Sequence, residues 1–388
     1  DNDLYQVSRS LRFNSADSAY LNTTFSSTGN RQKFTFSCWI KRSKLTVTPV
    51  PVIFSGGGAG GTDCEFGFLA DDTLYVYDYG AVSGGIYILV TSAVYRDTSS
   101  WYHIVMSVDS TLATANNRVR LYVNGIEITS FSTRNNPAQN ANFTFNTATG
   151  HTVGKWAFQN SNYIDGYLTN IHFIDGQQLD PTSFAQSDAN GRWVPKAYTG
   201  TYGTNGFYLN FSDNSSSLAL GHSNTGGTHV DVIGGNGSNQ TIIAGYGAFR
   251  VSTISTSNTS SSDVGNYLIV TLGTPISITS SLKLYMDVNY SWATIRNLYI
   301  NGSLVSSGNV TTATVNGMIE WTINYSGHGI TQLSSITTPQ NAGGRAYLYG
   351  ISIDGSTVLA TENDWTPTNF SVTAGVGNDS LTDTPTNY

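Results

Sequence analysis

The chain has 388 residues, long enough for roughly two or three domains and for a sizeable core. Charged residues make up 11%, against about 25% in an average soluble domain, and only 4 Glu and 6 Lys remain to favour helices, so a mainly helical fold is excluded. The net charge of −7, with no basic run longer than Lys41-Arg42, argues against nucleic acid as a main partner.

The first half reads as strands. Between Phe34 and Ile40 the residues Phe34, Phe36, Cys38 and Ile40 point one way and Thr35, Ser37 and Trp39 the other, which makes Cys38 a small core residue. Cys38 and Cys64 fit neither a metal quartet nor a disulfide framework. A strand from Trp101 to Val108 precedes another over Arg118 to Val123. The latter ends in Asn124-Gly125 before Ile126-Glu127-Ile128, a strong hairpin signal, because both central positions of a type I′ turn need positive φ. Shorter strands follow at Thr152 to Gly154 and Tyr163 to Phe173, then one helical turn around Pro181 to Phe184 and a strand from Gly206 to Phe211.

From Ser212 the composition shifts to Ser, Asn and Gly, which marks a linker at 212–227. A second β-rich block spans 228–362. Its strands are expected at Phe249 to Ile254, Asn266 to Leu272, Ser281 to Val288, Ile295 to Ile300, Ile319 to Tyr325 and Arg345 to Ile353, with Asn301-Gly302 and Asp354-Gly355 as turns. A polar tail, 363–388, closes the chain with Trp365 and Phe370 as its large anchors. No apolar stretch reaches the ~18 residues that cross a bilayer, and the opening Asp1-Asn2-Asp3 does not read as a signal peptide.

Chemistry-bearing motifs are sparse. There is no Gly-x-Ser-x-Gly elbow, His-Glu-x-x-His helix or phosphate loop, and Glu65, Glu127, Glu320 and Glu362 do not form the spaced acidic set of a paired-carboxylate glycosidase. The expectation is no enzyme. His103 and His172 lie within strand patterns and read as structural. Aromatic rings stack on sugar CH groups while Asn and Asp bind hydroxyls. On that ground Tyr75, Tyr77 and Tyr79, at spacing two on one strand face, are either an exposed platform or a Tyr-rich core. Trp156 and Tyr163, and in the second block Tyr290 and Trp292, are further candidates for carbohydrate contact.

Several segments together resemble the laminin G-like, concanavalin A-like lectin family in the form found in bacteriophage tail-fibre and appendage proteins. They are Ser10-Leu11-Arg12-Phe13-Asn14 with Ser18-Ala19-Tyr20-Leu21, then Phe34 to Lys41, Trp101-Tyr102-His103-Ile104, Leu121-Tyr122-Val123-Asn124-Gly125 and Asp165 to Phe173. The tail from Asn363 to Val372 is similar to a segment that commonly follows such a domain directly, which makes 228–362 an insertion. The resemblance implies an all-β jelly-roll sandwich over 1–211 followed by a second, inserted β-sandwich. The tail at 363–388 should then pack on or near the first domain. It further implies a virion protein that binds host-surface glycans without cleaving them, contacts other virion proteins and forms a homo-oligomer, with a trimer as the leading arrangement. The competing readings are a purely structural capsid appendage and a polysaccharide depolymerase. No cofactor is expected other than calcium, which the resemblance allows because such domains often hold it; Asp71, Asp72 and Asp165 are its candidate ligands here, from a wider set with Asp63, Asp109 and Asp175.

Overall fold

In the computed structural model, residues 5–225 are described apart from 26, 59–61, 83–86, 215–216, 218 and 222. Beyond them come 230–233, 242–245, 248–252, 267–287, 298–315, 318–339, 345–354, 356–357, 364–375 and 377–386. Tyr290 and Trp292 lie outside the described residues. The chain divides into two compact units, Asp1–Thr225 with Asn363–Tyr388, and Gly226–Glu362. Regular structure among the described residues is all β, apart from single 3-10 turns.

The first unit contains β1 (Ser10–Phe13), β2 (Tyr20–Thr24), β3 (Lys33–Arg42), β4 (Val52–Gly58), β5 (Thr62–Phe68), β6 (Thr73–Asp78), β7 (Tyr87–Val94) and β8 (Tyr102–Asp109). There follow β9 (Val119–Val123), β10 (Ile126–Glu127), β11 (Phe131–Arg134), β12 (Gly150–Val153), β13 (Gly166–Asp175), β14 (Ala185–Ser187), β15 (Trp193–Pro195) and β16 (Phe207–Leu209). They build two antiparallel sheets. The first runs β10-β9-β8-β3-β13-β1, with β16 also on β13, and the second runs β11-β7-β6-β5-β4-β12-β2. The C-terminal strands Ser380–Leu381 and Thr366–Thr368 complete them on β1 and β2 respectively.

Alternation decides which side chains meet between the sheets. Phe34, Phe36, Cys38 and Ile40 of β3 join Phe54, Cys64, Phe66, Phe68, Leu74 and Val76 of the opposing sheet in one apolar cluster. Phe36 stacks on Phe54 with ring centroids 4.7 Å apart. The expected hairpin is present: β9 and β10 pair through Asn124 and Gly125 at φ 50° and 81°, the left-handed pair that a type I′ turn requires. The expected helical turn is the 3-10 turn Pro181–Ser183, capped by Asp180. The segment 212–227, read as a linker, contributes to the fold. Leu220 is buried in the core, and the Trp365 backbone N–H donates to Gly221 O at 2.8 Å. Two apolar side chains at 218 and 220 stand out in that polar run, and one of them supplies this anchor.

The other face of the first sheet is closed by the chain between 177 and 206. Trp193 donates its indole N–H to His103 Nδ1 at 3.0 Å, so His103 carries its proton on Nε2 and gives it to Ser37 Oγ at 2.8 Å. Trp39 stacks on His103 at 4.9 Å, and His172 stacks on Tyr208 at 4.2 Å. Both histidines are thereby structural and neutral, with burial pushing their pKa down to about 3.

The second unit has two antiparallel sheets. One orders Val230–Ile233, Tyr267–Ser277, Gln332–Pro339, Tyr299–Ile300 and Ser303–Leu304. The other orders Ile242–Gly245, Ala248–Ser252, Arg345–Ile353, Leu282–Asp287, Met318–Ile323 and Val310–Val315. Asn301-Gly302 forms the expected turn at φ 51° and 78°.

Candidate functional site

With one side of the first sheet covered, the open β surface of this unit is the outward face of the second sheet. Strand β6 places Leu74 and Val76 in the core, so Tyr75 and Tyr77 point outward. Strand β5 does the same with Cys64 and Phe66 inside, and Asp63 and Glu65 outside. The tyrosines are thus an outward feature and the inward face of β6 is aliphatic.

Register aligns these outward residues into a row across six strands. Asn22 lies opposite Thr152, Thr152 opposite Ser55, Ser55 opposite Glu65, Glu65 opposite Tyr77 and Tyr77 opposite Tyr87. The row is covered at Ser55 and open at Tyr87. Ser55 Oγ accepts the Ala157 N–H at 2.7 Å and donates to Lys155 O at 2.9 Å, which lays residues 155–157 across β4 and β12. Tyr87 is 39% exposed, Tyr79 37% and Phe158 41%, while Glu65, Tyr77 and Trp156 are partly exposed. The accessible part is therefore a strip over β5, β6 and β7, beside the Trp156–Phe158 pair, whose rings meet edge-on at 5.5 Å.

Tyr75 is fully buried and supports the strip from beneath. Its hydroxyl donates to Glu65 Oε2 at 2.5 Å and its ring meets Tyr87 edge-on at 5.3 Å. Tyr77 also meets Tyr87, at 6.0 Å. Burial pushes the Tyr77 hydroxyl up to about 12, with the charges of Asp63 and Glu65 adding to it. Burial likewise raises both carboxyls, and Asp63 adds to the rise at Glu65. Tyr163 sits apart, 6.3 Å from Tyr20, whose ring lies 4.6 Å beneath Lys155 Nζ.

The three aspartates considered as calcium ligands do not converge. Asp72 is completely buried, with Arg42 at 2.9 Å, Arg96 at 2.8 Å and the Thr46 N–H at 2.8 Å. Burial alone would raise its carboxyl, but the Thr46 N–H, Arg96 and Arg42 hold it down to about 2. Asp71 caps its turn by accepting from Thr73, and Asp165 pairs with Lys44 at 3.1 Å and accepts the Ser15 N–H at 3.0 Å. Of the wider set, Asp109 pairs with Lys33 at 2.9 Å, and Asp175 is enclosed by Asn30, Asn146 and Asn205. Among the described residues no group of three or more His, Cys, Asp or Glu side chains is placed to hold a metal ion.

Residues 14–183 match the laminin G family model described as the concanavalin A-like lectin/glucanases superfamily. That span has a concanavalin A-like fold. Together with strands on either side of it, the span builds the two antiparallel sheets and the aromatic core of the first unit. No curated protein matches the sequence. Among solved structures, the native heptameric SAP-like pentraxin from Limulus polyphemus is 17% identical over 45% of this chain and 78% of its own, at a TM-score of 0.31. Domains LG4-5 of the mouse laminin alpha1 chain are 12% identical over 95% of this chain and 82% of their own, at 0.32. Domain 4 of a GH43 extracellular arabinanase from Geobacillus stearothermophilus, in complex with arabinotriose, is 18% identical over 40% of this chain and 65% of its own, at 0.27.

The strip's other members were not singled out from sequence. Glu65 was weighed only as a catalytic acid and Asp63 only as a calcium ligand, while Tyr87 and Phe158 were passed over. The Asp63-Cys64-Glu65-Phe66 alternation, set against Tyr75-Val76-Tyr77, carried the signal for the two acids.

Proposed function

We propose that this chain is a bacteriophage virion protein, part of a tail fibre or capsid appendage, whose concanavalin A-like domain binds host-surface glycans without cleaving them. The observation that carries the binding is the outward strip of Tyr77, Tyr79 and Tyr87 beside Trp156 and Phe158, with Glu65 and Asp63 set among the rings. Flat ring faces stack on pyranose CH groups, and carboxylates accept hydroxyl hydrogen bonds. Such contacts are shallow and individually weak, so a repeated appendage gains from avidity. The virion assignment is supported by the ordered motifs from Ser10 to Phe173 and by the C-terminal segment that follows such domains in phage proteins.

Cleavage has one feature in its favour, since Asp63 and Glu65 share a face of β5. Against it, Glu65 is committed to the Tyr75 hydroxyl and Asp63 is only 8% exposed. The test is a glycan array and host-cell adhesion assay on the purified chain, with the bound glycans analysed for shortened products. Saturable binding with intact glycans supports the proposal. Shortened products favour the depolymerase, and no binding to any glycan or cell favours a purely structural appendage.

A further inference from the structure

Among the described residues, the strip over β5, β6 and β7 carries two acids, Asp63 and Glu65, and no Lys or Arg. At outward positions of β2, β4, β5, β6, β7 and β12 the charged residues are Asp63 and Glu65; their neighbours are Tyr20, Asn22, Ser55, Tyr75, Tyr77, Tyr87 and Thr152. Lys155 is spent elsewhere, donating to Asn160 Oδ1 at 3.0 Å and to Gln159 O at 3.3 Å over the Tyr20 ring. Neither Asp63 nor Glu65 forms an ion pair among the described residues.

We propose that Asp63 and Glu65 make this face selective for uncharged sugars, excluding glycans that carry a carboxylate or sulfate on the stacked residue. The inference rests on the glycan-binding reading above. A neutral sugar presents hydroxyls that donate to the Glu65 oxygen not bonded by Tyr75, whereas an anionic substituent would meet the charges of both Glu65 and the more buried Asp63 in a partly desolvated strip, where repulsion is screened less than in bulk water. Burial raises both carboxyls, which marks the strip as a place where charge is poorly hydrated.

The experiment compares neutral hexose oligosaccharides with the same backbones oxidised at C6 to uronates or sulfated there, by titration at pH 7.5. The wild-type chain binds the neutral forms at least roughly tenfold more tightly, and the Asp63→Asn/Glu65→Gln double variant moves the anionic-to-neutral affinity ratio roughly tenfold towards unity. Glu65→Gln alone, which leaves an acceptor for the Tyr75 hydroxyl, provides a second, milder variant and moves the ratio in the same direction. Wild-type binding of anionic forms as tight as neutral ones overturns the inference, as does an unmoved ratio in both variants. Failure to bind any oligosaccharide removes the glycan-binding reading and this one with it, whereas binding without charge preference removes this one alone.

Discussion

Acid should destabilise the first unit between pH 6.5 and 5, because three neutral histidines are sealed inside it. Burial pushes His103 and His172 down to about 3 and His151 down to about 4, from an ordinary 6.5. Each has a physical reason to stay neutral. His103 accepts from Trp193 and donates to Ser37, His172 is stacked on Tyr208, and His151 lies among Phe25 and Phe54 with Nδ1–H donating to Thr149 O at 2.9 Å. With folded values depressed, the unfolded chain takes up protons that the folded chain refuses. Stability is therefore complete above pH 6.5 and falls as pH drops towards 4 and 3. At pH 5 each histidine costs about 2 kcal/mol, and the three together about 6 kcal/mol.

Asp78 acts in the opposite sense. Burial lifts its carboxyl to about 6 against backbone N–H donors from Thr144, Phe145 and Ala81, so its folded value lies above the unfolded one and it returns about 1.4 kcal/mol at pH 5. The net loss of about 4–5 kcal/mol corresponds to a fall in Tm of roughly 10–15 °C for a unit of this size. Thermal unfolding followed by near-ultraviolet circular dichroism at pH 7.5, 6 and 5 checks this. His172→Phe, which keeps the stack on Tyr208, should flatten the response by about 40%. A Tm constant to within about 3 °C between pH 7.5 and 5 would refute the reasoning.

Other consequences follow from single contacts. Arg42→Ala leaves the fully buried Asp72 with only Arg96 and Thr46, and should cost about 3–5 kcal/mol by urea unfolding at pH 7. Gly29→Ala sets a Cβ 2.4 Å from Asp175 Oδ2 and 2.5 Å from Asn146 Oδ1, pushing apart the Asp175–Asn146–Asn205 network; a loss of about 1–3 kcal/mol is expected from the same measurement. Since Asp71, Asp72 and Asp165 are separately engaged, EGTA should leave glycan binding and Tm unchanged, and a loss of either on chelation would show that an ion is held.

Much of the first sandwich was legible because alternation and turn chemistry act locally. The Phe34 to Ile40 pattern fixed which side of β3 enters the core, and Asn124-Gly125 fixed a hairpin through the φ values that those two residues tolerate. Strands lacking apolar alternation were missed. Val310–Val315 and Gln332–Pro339 are Thr- and Ser-rich and gain their place from pairing with Met318–Ile323 and Tyr267–Ser277. The site was legible only in part. Spacing placed Tyr75, Tyr77 and Tyr79 on one face but could not say which face, because that depends on where the opposite sheet lies. Nor could spacing show that Tyr75 would be buried beneath Tyr87, or that Glu65 would be brought beside it, since both come from cross-strand register. Asp72, a candidate calcium ligand from sequence, is an ion-pair hub, because Arg42 at the end of β3 and Arg96 just past β7 converge on it.

The central claim is that the outward strip over β5, β6 and β7 is where glycan binds. Isothermal titration of an array-selected oligosaccharide into the wild-type chain, Tyr77→Ala, Tyr87→Ala and the distant exposed control Ile126→Ala tests it most directly. The account predicts that each tyrosine substitution weakens binding by roughly tenfold or more with the fold intact, while Ile126→Ala binds like the wild type. Unchanged affinity in both tyrosine variants would contradict it and move the site off this face.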